Sequence, residues 1–250
     1  MKKSFNPDLL PLIVLAAGIV GMLLRLWQYV GGTDGKGLLI PGHPATILLL
    51  ILTVATLALI LLCTWNLSQG SKYRYNFPES MPGCVGAAAA AVGVLVASVL
   101  DLLTGQDMLT LISGFLGMMA AASLCVLAVS RLRGQIPHVI FSLCVTLYLM
   151  LHLICQYRVW SGEPQLPSYC WPLLASVCVM LSAYQTAAFG GQLGHRRPQA
   201  FFHLAALYFC CLSLIGDHDP GFYLAMGVWM FTDICRLTPM PRNFARGNEA

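Results

Sequence analysis

Two apolar runs, Gly83–Leu103 and Met108–Ser130, follow each other with only Thr104-Gly105-Gln106-Asp107 between them. Each is long enough to cross a hydrocarbon core of about 30 Å as a helix, and so short a connection makes the pair an antiparallel hairpin. The first run carries Gly83, Gly86, an alanine stretch from Ala87 to Ala91, Gly93, Ala97 and Ser98; the second carries Ser113, Gly114, Gly117, Ala120 to Ala122 and Ser123. Small residues every three or four positions let helix backbones approach closely in lipid, where packing replaces the missing hydrophobic drive. A tightly packed helical hairpin is therefore expected at the centre of the chain.

The rest of the sequence agrees with a membrane setting. Only 10% of residues are charged, 58% are hydrophobic, and mean hydropathy is +0.74; a soluble domain carries about a quarter charged residues. Eight spans of about 20 residues fit the hydropathy pattern: 9–30, 45–66, 83–103, 108–130, 139–158, 169–190, 199–215 and 221–237. The last two are the shortest and most polar. Met1-Lys2-Lys3 before the first run imitates a signal peptide, but the apolar stretch continues to Tyr29 and reads as an uncleaved first helix. The expected fold is an all-α integral membrane protein, one polytopic domain over 1–250, built as an eight-helix transmembrane bundle.

Eight spans leave both termini on one side, together with the loops 67–82, 131–138 and 191–198. That side collects Lys2, Lys3, Lys72, Arg74, Arg131, Arg133, Arg196, Arg197, Arg236, Arg242 and Arg246, against Lys36 and Arg158 opposite. The positive-inside rule then predicts a cell-membrane protein with both termini cytoplasmic. Trp27, Tyr29, Trp160, Tyr169 and Trp171 fall near outer span ends, where amphipathic rings settle. Long outer loops alternate with short acidic ones, and Pro41 and Pro44 have counterparts in Pro167 and Pro172. This pattern raises the idea of two parallel four-helix halves, 1–130 and 131–250.

Polar residues at membrane depth are costly, and they carry the functional expectations. Arg25 near the outer end of the first span reads either as a snorkelling cation or as the partner of Asp101, which closes the third span at similar depth. Tyr148, His152 and Gln156 stand at i, i+4 and i+8, one polar stripe that must face protein or water. Ser176, Met180 and Tyr184 repeat that spacing on the sixth span. Arg25, Asp101, Tyr148, His152, Gln156 and Tyr184 are the candidate solute-binding residues. His203 early in the seventh span and Asp233 late in the eighth should meet at one depth; they are the candidate proton-coupling pair, with Asp233–Arg236 at i+3 as the plainer structural pairing.

Asp217, His218 and Asp219 in the last outer loop, with His43 from the first, offer oxygen and nitrogen ligands for a divalent metal; a solvated turn is the plainer reading. The ten cysteines sit mostly in apolar runs, without a Cys-x-x-Cys pair, and read as small buried hydrophobes. His138 and His152, and His203 and His218, form two pairs 14 and 15 residues apart. Such pairs would set two layers about 20 Å apart on parallel helices. This resembles the ligand spacing of diheme b-type cytochromes, which would imply haem held by axial histidines; otherwise no cofactor is expected.

No His-Glu-x-x-His, Walker A, Gly-x-Ser-x-Gly or Asp-rich magnesium motif is present. The basic loops suit membrane lipids and give no reason to expect nucleic acid. Three function classes remain: a small transporter or permease-type component moving a small solute, a non-catalytic accessory or scaffold subunit, and a haem-binding or other membrane enzyme. Partners beyond lipid would be a second copy or a separate membrane subunit.

Overall fold

A computed structural model describes residues 9–32, 39–40, 42–65, 67, 73–105, 107–162, 166–216 and 219–237. Eight long helices and one single turn make up these residues: α1 (Leu10–Gly31), α2 (Pro44–Trp65), α3 (Tyr73–Asn76), α4 (Met81–Thr104), α5 (Met108–Arg133), α6 (Val139–Trp160), α7 (Leu166–Gly190), α8 (Arg196–Ser213) and α9 (Pro220–Leu237). Six of them, α1, α2, α4, α5, α6 and most of α7, are long and apolar enough to cross a membrane. The chain is a helical, multi-pass membrane protein.

Contacts at both ends show the long helices alternating in direction. Gly18 of α1 lies against Cys211, Gly21 against Leu212, and Arg25 reaches Ile215, so α1 and α8 run parallel. Gly86 of α4 faces Thr232 and Gly93 faces Ala225, so α4 and α9 are antiparallel. We call the end where α1 starts and α9 finishes proximal, and the opposite end distal. In the packing, α4, α5, α6, α7, α8 and α9 each touch the next and α9 closes back on α4, a ring of six helices. Helices α1 and α2 pack outside it, mainly on α8 and on each other. In the halves suggested by the loop pattern, α2–α4 would correspond to α7–α8; α7 and α8 pack extensively, whereas α2 lies mainly on α1 and α8.

The most apolar helix is also the least buried by protein, and one of the most polar is enclosed. Helix α2 has the highest mean hydropathy, 2.9, yet only 22% of its window is buried by protein, so its apolar surface faces lipid. Helix α8 carries Arg196, Arg197, Gln199 and His203 and falls short of the hydropathy of a span, but α1, α2, α7 and α9 surround it and every residue from His203 to Cys210 is buried. A helix shielded by other helices has no need of an apolar surface. Hydroxyls at depth return to the carbonyl one turn back, as in Thr53 to Leu49 O (2.8 Å) and Ser98 to Val94 O (2.6 Å).

The central hairpin forms as expected, but its small residues serve two partners. Gly114 and Gly117 of α5 admit α4, while Gly86 and Gly93 of α4 admit α9. Helix α4 starts with Ser80 as N-cap, its hydroxyl accepting from Gly83 N at 3.2 Å. Helix α5 runs to Arg133, beyond the expected end at Ser130, and stops at Gly134 in the left-handed region (φ 61°). That extra turn places Arg131 inside the protein, not in a loop.

Candidate functional site

Two polar clusters lie at opposite ends of the helix ring. The distal one grows from the α6 stripe. Tyr148 and His152 are one turn apart, and both are buried, with ring centroids separated by 5.6 Å. His152 also lies against Phe222 at the start of α9, at 4.6 Å between centroids. Tyr148 reaches α5 because residue 117 is glycine; a Cβ there would stand 2.7 Å from the Tyr148 ring. One turn further, Gln156 Nε2 donates to Asp219 Oδ2 at 3.1 Å. Asp101 of α4 closes the group beside Ser113 of α5, and the Asp219 charge bears on both Asp101 and His152.

Three buried polar atoms here have no hydrogen-bond partner: Ser113 Oγ, Tyr148 Oη and His152 Nε2. Ser113 has Asp101 and Tyr148 has Ser98 within reach as a polar neighbour, so His152 Nε2 is the one of the three that faces no such group. An unmade hydrogen bond in a buried site costs about 1–3 kcal/mol. These polar groups stand beside two carboxylates, Asp101 and Asp219. The chemistry offered is acceptor-rich, with hydroxyls able to turn either way and aromatic faces on one side.

The proximal cluster joins α5, α7, α8 and α9. Arg131 Nη2 donates to Asp233 Oδ2 at 3.1 Å, with side-chain exposures of 5% and 3%. His203 Nε2 stands 3.9 Å from the same oxygen. The carbonyl of Gln199 can only accept, so His203 Nδ1, 3.0 Å away, carries a proton. Ser182 Oγ lies 2.6 Å from Nδ1 and donates to Met230 Sδ at 3.1 Å. Nε2 is the ring nitrogen that faces Asp233. Gln199 Nε2 is 3.4 Å from this ring nitrogen and donates to Thr186 Oγ1 at 2.9 Å, while Gln199 Oε1 has no partner. Phe77, following α3, lies under the Arg131 guanidinium at 3.7 Å and Tyr73 at 5.4 Å. Burial pushes the Tyr73 phenol up, which keeps that ring neutral.

Compared with models of known families, with curated proteins and with solved structures, the chain matches none.

Of the candidate solute-binding residues, Asp101, Tyr148, His152 and Gln156 come together; Arg25 and Tyr184 do not join them. Arg25 does not pair with Asp101: its Nε donates to Ile215 O at 2.8 Å and its guanidinium lies over Tyr29 at 5.3 Å, because α1 packs on α8 rather than on α4. Tyr184 is 52% exposed on the outer face of α7. Asp219, considered for a metal, meets the α6 stripe through Gln156. Among the described residues no three His, Cys, Asp or Glu side chains gather as a metal-binding group. His43 packs against Trp27 at 5.6 Å and accepts from Ala45 N; Asp217 and His218 lie outside the described residues. For the haem spacing, His138 is the exposed N-cap of α6, α7 stands between α6 and α8, and both His203 nitrogens are within the proximal cluster.

His203 and Asp233 meet, but the direct ion pair is Asp233 with Arg131; the Arg236 side chain lies outside the described residues. Arg131 escaped the sequence reading because it counted as one of the orienting charges. Arg196 and Arg197 also have structural tasks: Arg196 donates to Leu237 O at the end of α9, and Arg197 to Leu67 O just beyond α2 at 3.0 Å. Cations at helix C-termini complement the exposed carbonyls there.

Proposed function

We propose that this chain is a small-solute carrier of the cell membrane, with eight spans and both termini cytoplasmic. The proximal end would face the cytoplasm, as the distribution of lysine and arginine favours. Helices α8 and α9 complete the eight spans in this reading, since both run the length of the ring and α8 is screened from lipid by its neighbours. The distal cluster is the solute station, and His203 with Asp233 and Arg131 is the proton-coupling group.

The observation that carries the proposal is the convergence of Asp101, Ser113, Tyr148, His152, Gln156 and Asp219, from three helices and the residue that precedes α9, around the buried and partnerless His152 Nε2. A purely structural scaffold would gain stability by filling those positions with apolar groups. What supports the coupling role is the proximal network, where His203 Nε2 stands 3.9 Å from Asp233 Oδ2 and Arg131 holds the same carboxylate.

The full chain, purified and reconstituted into liposomes holding a pH-sensitive dye, tests the proposal. Small cations, anions and neutral solutes are added in turn, and counterflow is followed with the same panel loaded inside. At least one class should move protons with it, and the fraction of Asp233→Asn that remains folded should exchange solute without coupling. Folded protein that neither couples nor exchanges any class refutes the reading.

A further inference from the structure

Between the distal halves of α4 and α9 the bundle surface opens into an apolar groove of about 650 Å³, walled by Val92, Val96, Leu100 and Leu224. Its walls are exposed to lipid; Val92 is 61% and Leu224 57% accessible. Two residues belong both to this groove and to the distal cluster. Asp219, which accepts from Gln156, sits at the groove's distal end, and Phe222 shows one side to the groove and the other to His152. The groove and the polar site share a wall.

We propose that the distal site takes an amphiphilic organic cation, with an amine or quaternary ammonium head and one alkyl chain, entering sideways from the bilayer. This rests on the carrier reading and names the substrate class of the same station. The head would sit between Asp101 and Asp219, against the faces of Tyr148 and Phe222, where carboxylates and aromatic rings both favour positive charge. His152 Nε2, buried and without a partner, would accept from a protonated amine, and a quaternary head would rest on the carboxylates and rings alone. The chain lies in the groove. An anionic head would meet two carboxylates and, among the described residues, no cation within the cluster, since Arg131 is at the other end and Arg158 pairs with Asp107 on the exposed surface. A divalent metal lacks the required ligand group among the described residues.

Equilibrium binding to the full chain in lipid nanodiscs, corrected with empty nanodiscs, tests the proposal directly. The probes are n-octyltrimethylammonium, tetramethylammonium and n-octyl sulfate. Octyltrimethylammonium should bind saturably at one site. Tetramethylammonium should bind at least about tenfold more weakly, since burial of about two methylenes already amounts to a decade. Octyl sulfate should not compete. Asp219→Asn should weaken both cations by about tenfold or more. Val96→Trp, at a position 54% exposed to lipid, keeps the fold and fills the groove; it should weaken octyltrimethylammonium and leave tetramethylammonium unchanged.

Equal binding of octyl sulfate would mean that the groove holds an ordinary annular lipid chain, and would overturn the proposal. So would equal affinities for the two cations, or no saturable site in folded protein. Cation binding without flux in the liposome assay would sink the carrier reading and leave the site standing. Flux of another solute class without cation binding would do the reverse.

Discussion

Replacing Asp233 by asparagine exchanges one carboxylate oxygen for an amide nitrogen and tests the buried ion pair with Arg131. At 3.1 Å the Arg131–Asp233 attraction amounts to about 5 kcal/mol at an effective dielectric of about 20. Dehydrating both ions offsets much of that, several kcal/mol for each, so the intact pair contributes little net stability. Breaking it is another matter. The Asp233→Asn variant keeps a buried guanidinium whose remaining neighbours include the faces of Phe77 and Tyr73, worth about 1 kcal/mol. The expected loss is about 3–5 kcal/mol of unfolding free energy. Arg131→Met should cost a similar amount, while Arg131→Met with Asp233→Leu should return to within about 1–2 kcal/mol of the native chain. Reversible unfolding in bicelles, run as a double-mutant cycle, reads the coupling directly. If Asp233→Asn alone stays within about 1 kcal/mol of the native chain, or the double variant loses the full sum, the buried pair does not exist as described.

Three further outcomes are expected. Gly86→Ile drives a side chain into Thr232 and should destabilise the protein by about 1–3 kcal/mol, whereas Val92→Ile on the lipid face should stay within about 0.5 kcal/mol; the same unfolding assay compares them. His152→Phe removes a buried nitrogen without a partner, so stability should hold or rise by about 1 kcal/mol while cation binding is lost. With Ser161→Cys and Gln135→Cys, both at exposed positions, an impermeant maleimide added to intact cells should label the first and reach the second only after permeabilisation; the opposite pattern would invert the proposed topology.

Much of the architecture was legible in the residues themselves. The helix spans agree with the hydropathy runs to within a few residues, since a stretch facing lipid must be apolar whatever its neighbours are. The polar stripe of α6 was legible too, because i, i+4 spacing puts Tyr148, His152 and Gln156 on one face of any helix. Helix α8 departs most from a hydropathy reading: its polar residues are screened by four other helices, a property of its neighbours rather than of its own composition.

The membrane setting, the helical runs, the close central hairpin and the faces along which polar groups line up all follow from local rules of hydropathy, period and loop length. Which of those faces meet is a matter of the assembled bundle. Packing sent the α4 glycines to α9 as well as α5, brought Asp219 to Gln156 and kept Arg25 from Asp101. It also turned Arg131 from one orienting charge among many into the partner of Asp233, 102 residues away in the chain. The physical reason is that membrane helices present several faces of nearly equal apolarity. The choice among them rests on side-chain fit and on the cost of leaving a charge unpaired, and both depend on residues far apart in sequence.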